Sequence, residues 1–224
     1  LDPGRLQRAL DSVVARHAVL RSAYPAVAGR PVAVVAPAMQ VSIARESVAD
    51  AALEARRSTL AREPFDLGRG PLLRATLLRL AADRHELVLV LHHIVTDGTS
   101  NGILLRELAD AYAGRPAPPP LPLQYADYAA WQRRALDDDA SRAQLDWWQA
   151  RLAGAPPALE LPTDFPRPAE QRFRGAWIWR SLDARAAVAL REFAGARQAT
   201  LYMLMLAAFD VLLQRYSGQD DIVV

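Results

Sequence analysis

Two Leu- and Val-rich runs joined by a polar turn, with helically periodic segments on either side, predict an α/β protein whose strands and helices share one chain (α+β). The strand signal lies at residues 72–80 and 85–95, around Ala82-Asp83-Arg84, and reads as a hairpin of buried strands. The helical signal is clearest at Leu6, Leu10, Val13, Val14 and His17, which share one face at 3.6 residues per turn. A third observation joins the two: the second strand runs into Thr96-Asp97-Gly98 and then into Ile103, Leu104, Leu108 and Tyr112 at helical spacing. Strand, tight turn and helix follow one another there.

Taken in order, the first helix opens with Asp2 as N-cap and Pro3 at the first helical position and ends near Leu20; a proline there gives up no intrahelical bond. Residues 32–36 and 41–45 suggest short strands, and residues 48–62 a second helix that must stop before Pro64. The helix after the turn ends at Gly114 before Pro116. Residues 115–122 are Pro-rich and form an extended connector, followed by helical stretches at 124–136 and 141–152. Tyr125, Tyr128, Trp131, Trp147 and Trp148 read as packing aromatics. A second Pro-rich stretch, 154–172, marks a subdomain boundary. Beyond it come a strand at 173–182 and helices at 184–196 and 201–216. The apolar residues of the last helix are not confined to one stripe, so it expects cover on all sides.

The 224 residues, 51% hydrophobic and 23% charged, suffice for a sizeable core in one large or two small domains. Cysteine is absent, which excludes disulfides, thiolate metal sites and thiol redox chemistry and makes a cytoplasmic location the default expectation. The most apolar run, 201–213, is too short to span a bilayer and is soon followed by Arg215. The net charge is +2 and every basic residue is arginine, scattered among acids as in Arg5, Asp11, Arg16, Arg45 and Glu46. A nucleic-acid binder gathers its cations into a stripe with stacking aromatics, and none is visible.

Chemistry is most plausible at His92-His93-Ile94-Val95-Thr96-Asp97-Gly98. Strand side chains alternate between faces, so the two imidazoles are expected to point to opposite sides. An imidazole beside an apolar wall can take a proton from an attacking nucleophile. Gly98 is expected to permit a turn that bulkier residues resist and to bring an N–H close to a substrate. The residues alone leave alternatives open. A core histidine and a surface histidine beside an Asx turn have the same spelling. A metal site is weaker, because adjacent strand residues diverge and no further ligand lies nearby in sequence. His17 and His85 read as helix-face and strand-edge residues.

The string from Leu91 to Ser100 resembles the signature of peptide-synthetase condensation domains: two histidines, three variable residues, aspartate and glycine. Arg16-His17-Ala18-Val19-Leu20-Arg21, Pro64-Phe65-Asp66-Leu67 with Gly70-Pro71-Leu72-Leu73-Arg74, and Tyr125-Ala126-Asp127-Tyr128-Ala129-Ala130-Trp131 resemble further family motifs. So do Leu161-Pro162-Thr163-Asp164 and Arg215-Tyr216-Ser217-Gly218-Gln219-Asp220-Asp221-Ile222, in the family's order. Ala18 departs from the family's usual Glu and Thr99 from the Trp of many members. The family's opening motif is not found, nor is nearly all of its second lobe.

The resemblance implies a chloramphenicol-acetyltransferase-like fold of two lobes around a tunnel, with residues 1–165 as the first lobe and 166–224 as a linker and the beginning of a truncated second lobe. It implies amide-bond formation between a carrier-bound acyl or peptidyl thioester and the amine of a carrier-bound aminoacyl thioester, of the type joining an L-donor to an L-acceptor. By the same resemblance the partners are donor and acceptor peptidyl carrier proteins and neighbouring synthetase domains. Substrates ride on the carriers' phosphopantetheine, and no cofactor, metal or nucleotide is expected to bind this domain. His93 is expected to face the amine, either removing its proton or holding it and steadying the tetrahedral intermediate, with His92 and Gly98 as the further site residues and Asp97 in a structural ion pair with Arg16 or Arg21. An epimerisation domain of the same fold and a non-catalytic relative that recruits carriers or other partners are the alternatives. The isolated segment is expected to be aggregation-prone and catalytically silent, with His93 open to solvent.

Overall fold

The computed structural model describes residues 1–166, 168–170 and 175–224. The chain divides into two compact units, Leu1–Asp138 and Asp139–Val224.

The first unit is built on helix α1 (Pro3–Arg16), whose N-cap Asp2 accepts the Arg5 N–H at 3.0 Å with Pro3 at the helix start. The helix stops at His17, earlier than the expected Leu20, and a 3-10 turn continues over Ala18–Arg21. Short antiparallel pairings follow, β1 (Ser22–Ala23) with β4 (Val34–Val35) and β2 (Ala26–Val27) with β3 (Arg30–Pro31). The principal sheet has the order β5-β6-β7, with β5 (Ile43–Ser47) parallel to β6 (Leu73–Arg79) and β6 antiparallel to β7 (His85–Leu91). The predicted hairpin is present. A parallel neighbour needs a crossover, here supplied by helix α2 (Leu53–Arg62).

Register assigns each face of the sheet a layer. Leu73, Ala75 and Leu77 of β6 alternate with Arg74, Thr76 and Leu78, as side chains do along any strand. The first set joins Leu6, Leu10, Val13 and Val14 of α1 and Leu104 and Leu108 of helix α3 (Gly98–Ala113) in the core, with Leu87, Leu89 and Leu91 of β7 packed against it. Leu10, Val14 and Leu73 are at most 1% exposed. Across the other face, Glu46, Leu78 and Glu86 stand in one row. Helix α2 is tied there by a bidentate Arg56–Glu46 pair at 2.6 and 2.7 Å and by Arg57 bound to Glu86. The guanidiniums hold both carboxyls below the usual carboxylate range.

Helix α3 ends at Gly114 with φ 76°, a left-handed stop that favours glycine. Helix α4 (Tyr125–Leu136) begins in a capping box between Gln124 and Asp127. Its cap residue also docks: Gln124 accepts the Ala18 N–H at 3.0 Å and donates to the Arg16 carbonyl at 3.1 Å. Tyr125, Tyr128 and Trp131 contact one another in series yet stay 47–57% exposed, so they do not pack a core as expected.

The second unit contains α5 (Asp139–Arg151), α6 (Ala184–Gly195) and α7 (Leu201–Ser217). The strand expected at 173–182 begins at Phe173 and Arg174, outside the described residues, and residues 175–182 have no regular secondary structure. Among the described residues, no helix is long and apolar enough to cross a membrane.

Candidate active site at the turn between β7 and α3

Strand β7 stops at Leu91, short of the expected Val95, because His92 folds the chain into a 3-10 turn over His93–Val95. The His92 Nδ1 accepts the Ile94 N–H at 3.1 Å, which makes Nε2 the protonated ring nitrogen of the neutral imidazole. The His92 backbone N–H reaches the Leu72 carbonyl at 3.0 Å, and its carbonyl accepts from Val95 at 3.0 Å. The histidines therefore part because one ends a strand and the other starts a turn, and not through strand pleating alone. His92 is half-buried, with its ring 6.1 Å from Phe65 at 89°; His93 is exposed.

Asp97 is the N-cap of α3, with its Oδ1 accepting the Ser100 N–H at 2.7 Å. Hydrogen bonds from the Ser100 backbone and side chain hold the carboxyl below its usual range, and His93 nearby adds a smaller pull. The expected ion pair of Asp97 with Arg16 or Arg21 is not formed. Arg16 meets Glu107 at 3.2 Å and the carbonyls of Pro118 and Pro119. Arg21 donates to the carbonyls of Val14, Ala15, Ala36 and Pro37. The orphan N–H groups of α3 take up the carboxylate instead, as at any capped helix start. Both arginines secure the end of α1.

Gly98 also departs from expectation. It is the first residue of α3, its φ lies outside the left-handed region, and an added Cβ would meet no atom within 4 Å. The turn itself does not require glycine.

Sequence reasoning missed Glu107. Its carboxylate receives Arg16 at 3.2 Å and His17 Nε2 at 2.7 Å, which fixes α3, and with it the turn, to the end of α1. Nothing in local spacing marks it, because its partners lie 90 and 91 residues away. A cavity of about 1060 Å³ lies between α1, α3 and the Pro-rich connector, and its lining contains none of His92, His93, Asp97 or Gly98. Among the described residues, no group of three His, Asp or Glu side chains stands close enough to hold a metal ion.

A family model for the condensation domain matches residues 1–224. The chain belongs to the condensation-domain family. A linear gramicidin synthase of Brevibacillus parabrevis is 45% identical over 236 aligned positions, which cover 100% of this chain and 3% of that protein. Malpibaldin synthetase of Mortierella alpina is 43% identical, over 97% of this chain and 4% of its own length. The chain thus spans a few per cent of the curated relatives it matches. Among solved structures, the X-domain in its complex with OxyB from teicoplanin biosynthesis superposes with a TM-score of 0.87 at 34% identity, over 97% of this chain and 50% of that one. The EpoB cyclization-docking bidomain from Sorangium cellulosum gives 0.82 at 28% identity, over 98% and 45%. The α/β architecture is therefore that of condensation domains.

Proposed function

We propose that this condensation domain joins a carrier-bound acyl or peptidyl thioester to the amine of a carrier-bound aminoacyl thioester, with His93 beside the reacting amine. One observation carries the reading: of the two adjacent imidazoles, His92 is folded onto Phe65 and tied to its own turn, which leaves His93 exposed at the edge of the capped start of α3. The amine nitrogen attacks the thioester carbonyl, the C–S bond breaks, and the amine proton passes by way of His93 to the departing sulfur of the donor arm. General-base help of this kind contributes about 10² to 10⁴ in rate. Positioning of two tethered substrates supplies the rest.

Gly98 would act by admitting substrate close to the backbone at the helix start, since the chain itself leaves its Cβ position empty. The partners in this reading are donor and acceptor peptidyl carrier proteins and neighbouring synthetase domains, with substrates on phosphopantetheine arms. Residues 1–165 would form the first lobe and 166–224 the start of the second. Thr99 to Leu105 resemble the condensation group more than the epimerisation group, and the L-donor, L-acceptor type fits best.

The likeness to the X-domain in complex with OxyB favours one second reading, a domain that recruits a partner protein without forming a bond. Two loaded carriers incubated with a two-lobed condensation domain carrying this sequence decide between them, with product followed by mass spectrometry. His93→Ala should lower single-turnover product formation by about 10² or more while leaving the fold intact. Unchanged turnover in His93→Ala would refute the assignment, and no product from the wild-type protein would favour the recruiting role.

A further inference from the structure

The hairpin register sets Arg74 opposite Val90, and His92 follows Val90 by two residues, so Arg74 and His92 arise on the same face of the sheet. That is the α2 face, opposite the core packed by α1 and α3. Phe65, from the segment between α2 and β6, lies between them. The Arg74 guanidinium covers the Phe65 ring at 3.8 Å, and the Phe65 and His92 rings meet edge to face at 6.1 Å. Arg74 is itself held, donating to the carbonyls of Glu63 at 2.5 Å and Pro64 at 3.0 Å, with the Glu63 carboxylate at 3.8 Å. The stack is thus anchored to the backbone of Phe65's own segment. At its other end the His92 ring accepts the Ile94 N–H across the turn that begins with His93.

We infer that Phe65 and Arg74 are positioning residues of the candidate site, clamping the His92 imidazole in the orientation and tautomer that hold the turn presenting His93. The functional part of this inference rests on the reading of His93 proposed above; the clamp does not. A ring free to rotate would offer Nδ1 to Ile94 only part of the time, and the turn would lose the side-chain hydrogen bond that spans His93. The cation over the ring face matters because it fixes the ring plane, which an aliphatic side chain of similar volume cannot do.

The test uses the 224-residue chain for spectroscopy and a two-lobed condensation domain carrying this sequence for turnover. Phe65→Leu keeps apolar volume and removes the ring, Arg74→Gln removes the cation, and Phe65→Tyr is the conservative control. Nitrogen-15 imidazole spectra should show His92 as the fixed Nε2–H tautomer in the wild type and in Phe65→Tyr. Both disruptive variants should give tautomer-averaged His92 signals with circular dichroism unchanged. In the two-carrier assay their single-turnover rate constant should fall about tenfold to a hundredfold, with half-saturating carrier concentrations unchanged. A folded Arg74→Gln protein whose His92 keeps the single tautomer would overturn the clamp, even if Phe65→Leu failed to fold. If His93→Ala retained turnover, the reading of the site would fall while the tautomer spectra still decided the clamp.

Discussion

Helices α1 and α7 make an instructive pair. The first has 14 residues and the second 17, and α7 is the more apolar in sequence. Yet α1 buries Leu6, Ala9, Leu10, Val13 and Val14, whereas α7 buries only Leu213. Tyr202, Met203, Met205, Phe209, Val211 and Leu212 of α7 are 48–74% exposed. The difference is one of pattern. The apolar residues of α1 form a single stripe that the sheet and α3 cover, while those of α7 encircle the helix, a pattern that calls for cover on every side, and most of their area meets water here. A stripe is satisfied by one packed layer, whereas an encircling pattern needs neighbours all round.

One truncation on each helix should separate the two most clearly. Leu10→Ala should cost about 2–5 kcal/mol, as deletions at fully buried leucines do, whereas Leu212→Ala, 49% exposed, should change urea-melt stability by less than about 0.5 kcal/mol. Comparable losses would show that α7 is covered in solution. Self-association is the next largest effect. Exposed apolar patches of this kind promote association, so the 224-residue chain should sediment as oligomers, and Met203→Glu with Val211→Glu should shift it toward monomer. A monodisperse wild-type monomer would contradict the exposure of α7.

Within the first unit, Asp97 extends the contrast from packing to capping. Removing a buried ion-pair partner costs about 3–5 kcal/mol, whereas loss of an N-cap costs about 0.5–2 kcal/mol. Because Asp97 caps α3 and meets neither Arg16 nor Arg21, Asp97→Ala should fall in the smaller range in chemical denaturation, with the sheet intact. A larger loss would restore the ion pair.

The smallest effect is acid sensitivity. Glu46 and Glu86 are held down by Arg56 and Arg57, and Asp97 by the Ser100 N–H and hydroxyl. A carboxyl with a folded-state pKa below its unfolded one stabilises fully above the ordinary carboxylate range and loses that contribution as pH falls through its depressed value. Amide protection factors of β5 to β7, which remove the intrinsic pH dependence of exchange, should therefore be constant from neutrality down to the ordinary carboxylate range and fall below it. Glu46→Gln should flatten the response, and an unchanged profile would show that the Arg56 pair contributes nothing.

The α/β class, the β6–β7 hairpin, the helices and the family motifs were all legible in the chain before it folded, because each is written in short-range periodicity, capping and turn chemistry. Asp2 and Pro3 start α1, and Gly114 stops α3, through contacts within a few residues. What the site residues touch was settled only by packing. Asp97 found the backbone of α3 where an arginine was expected, Gly98 proved free of any steric demand from its own chain, and Glu107 joined Arg16 and His17 from 90 or more residues away. Whether a carboxylate caps its own helix or pairs across the fold depends on which donor the packed backbone brings nearest, and pairing between distant residues leaves no local signature. The same holds for His92 and His93: strand alternation already set them apart in the sequence, but the partners that hold the His92 ring, Phe65 with Arg74 over it, were decided only when distant segments met on one face of the sheet.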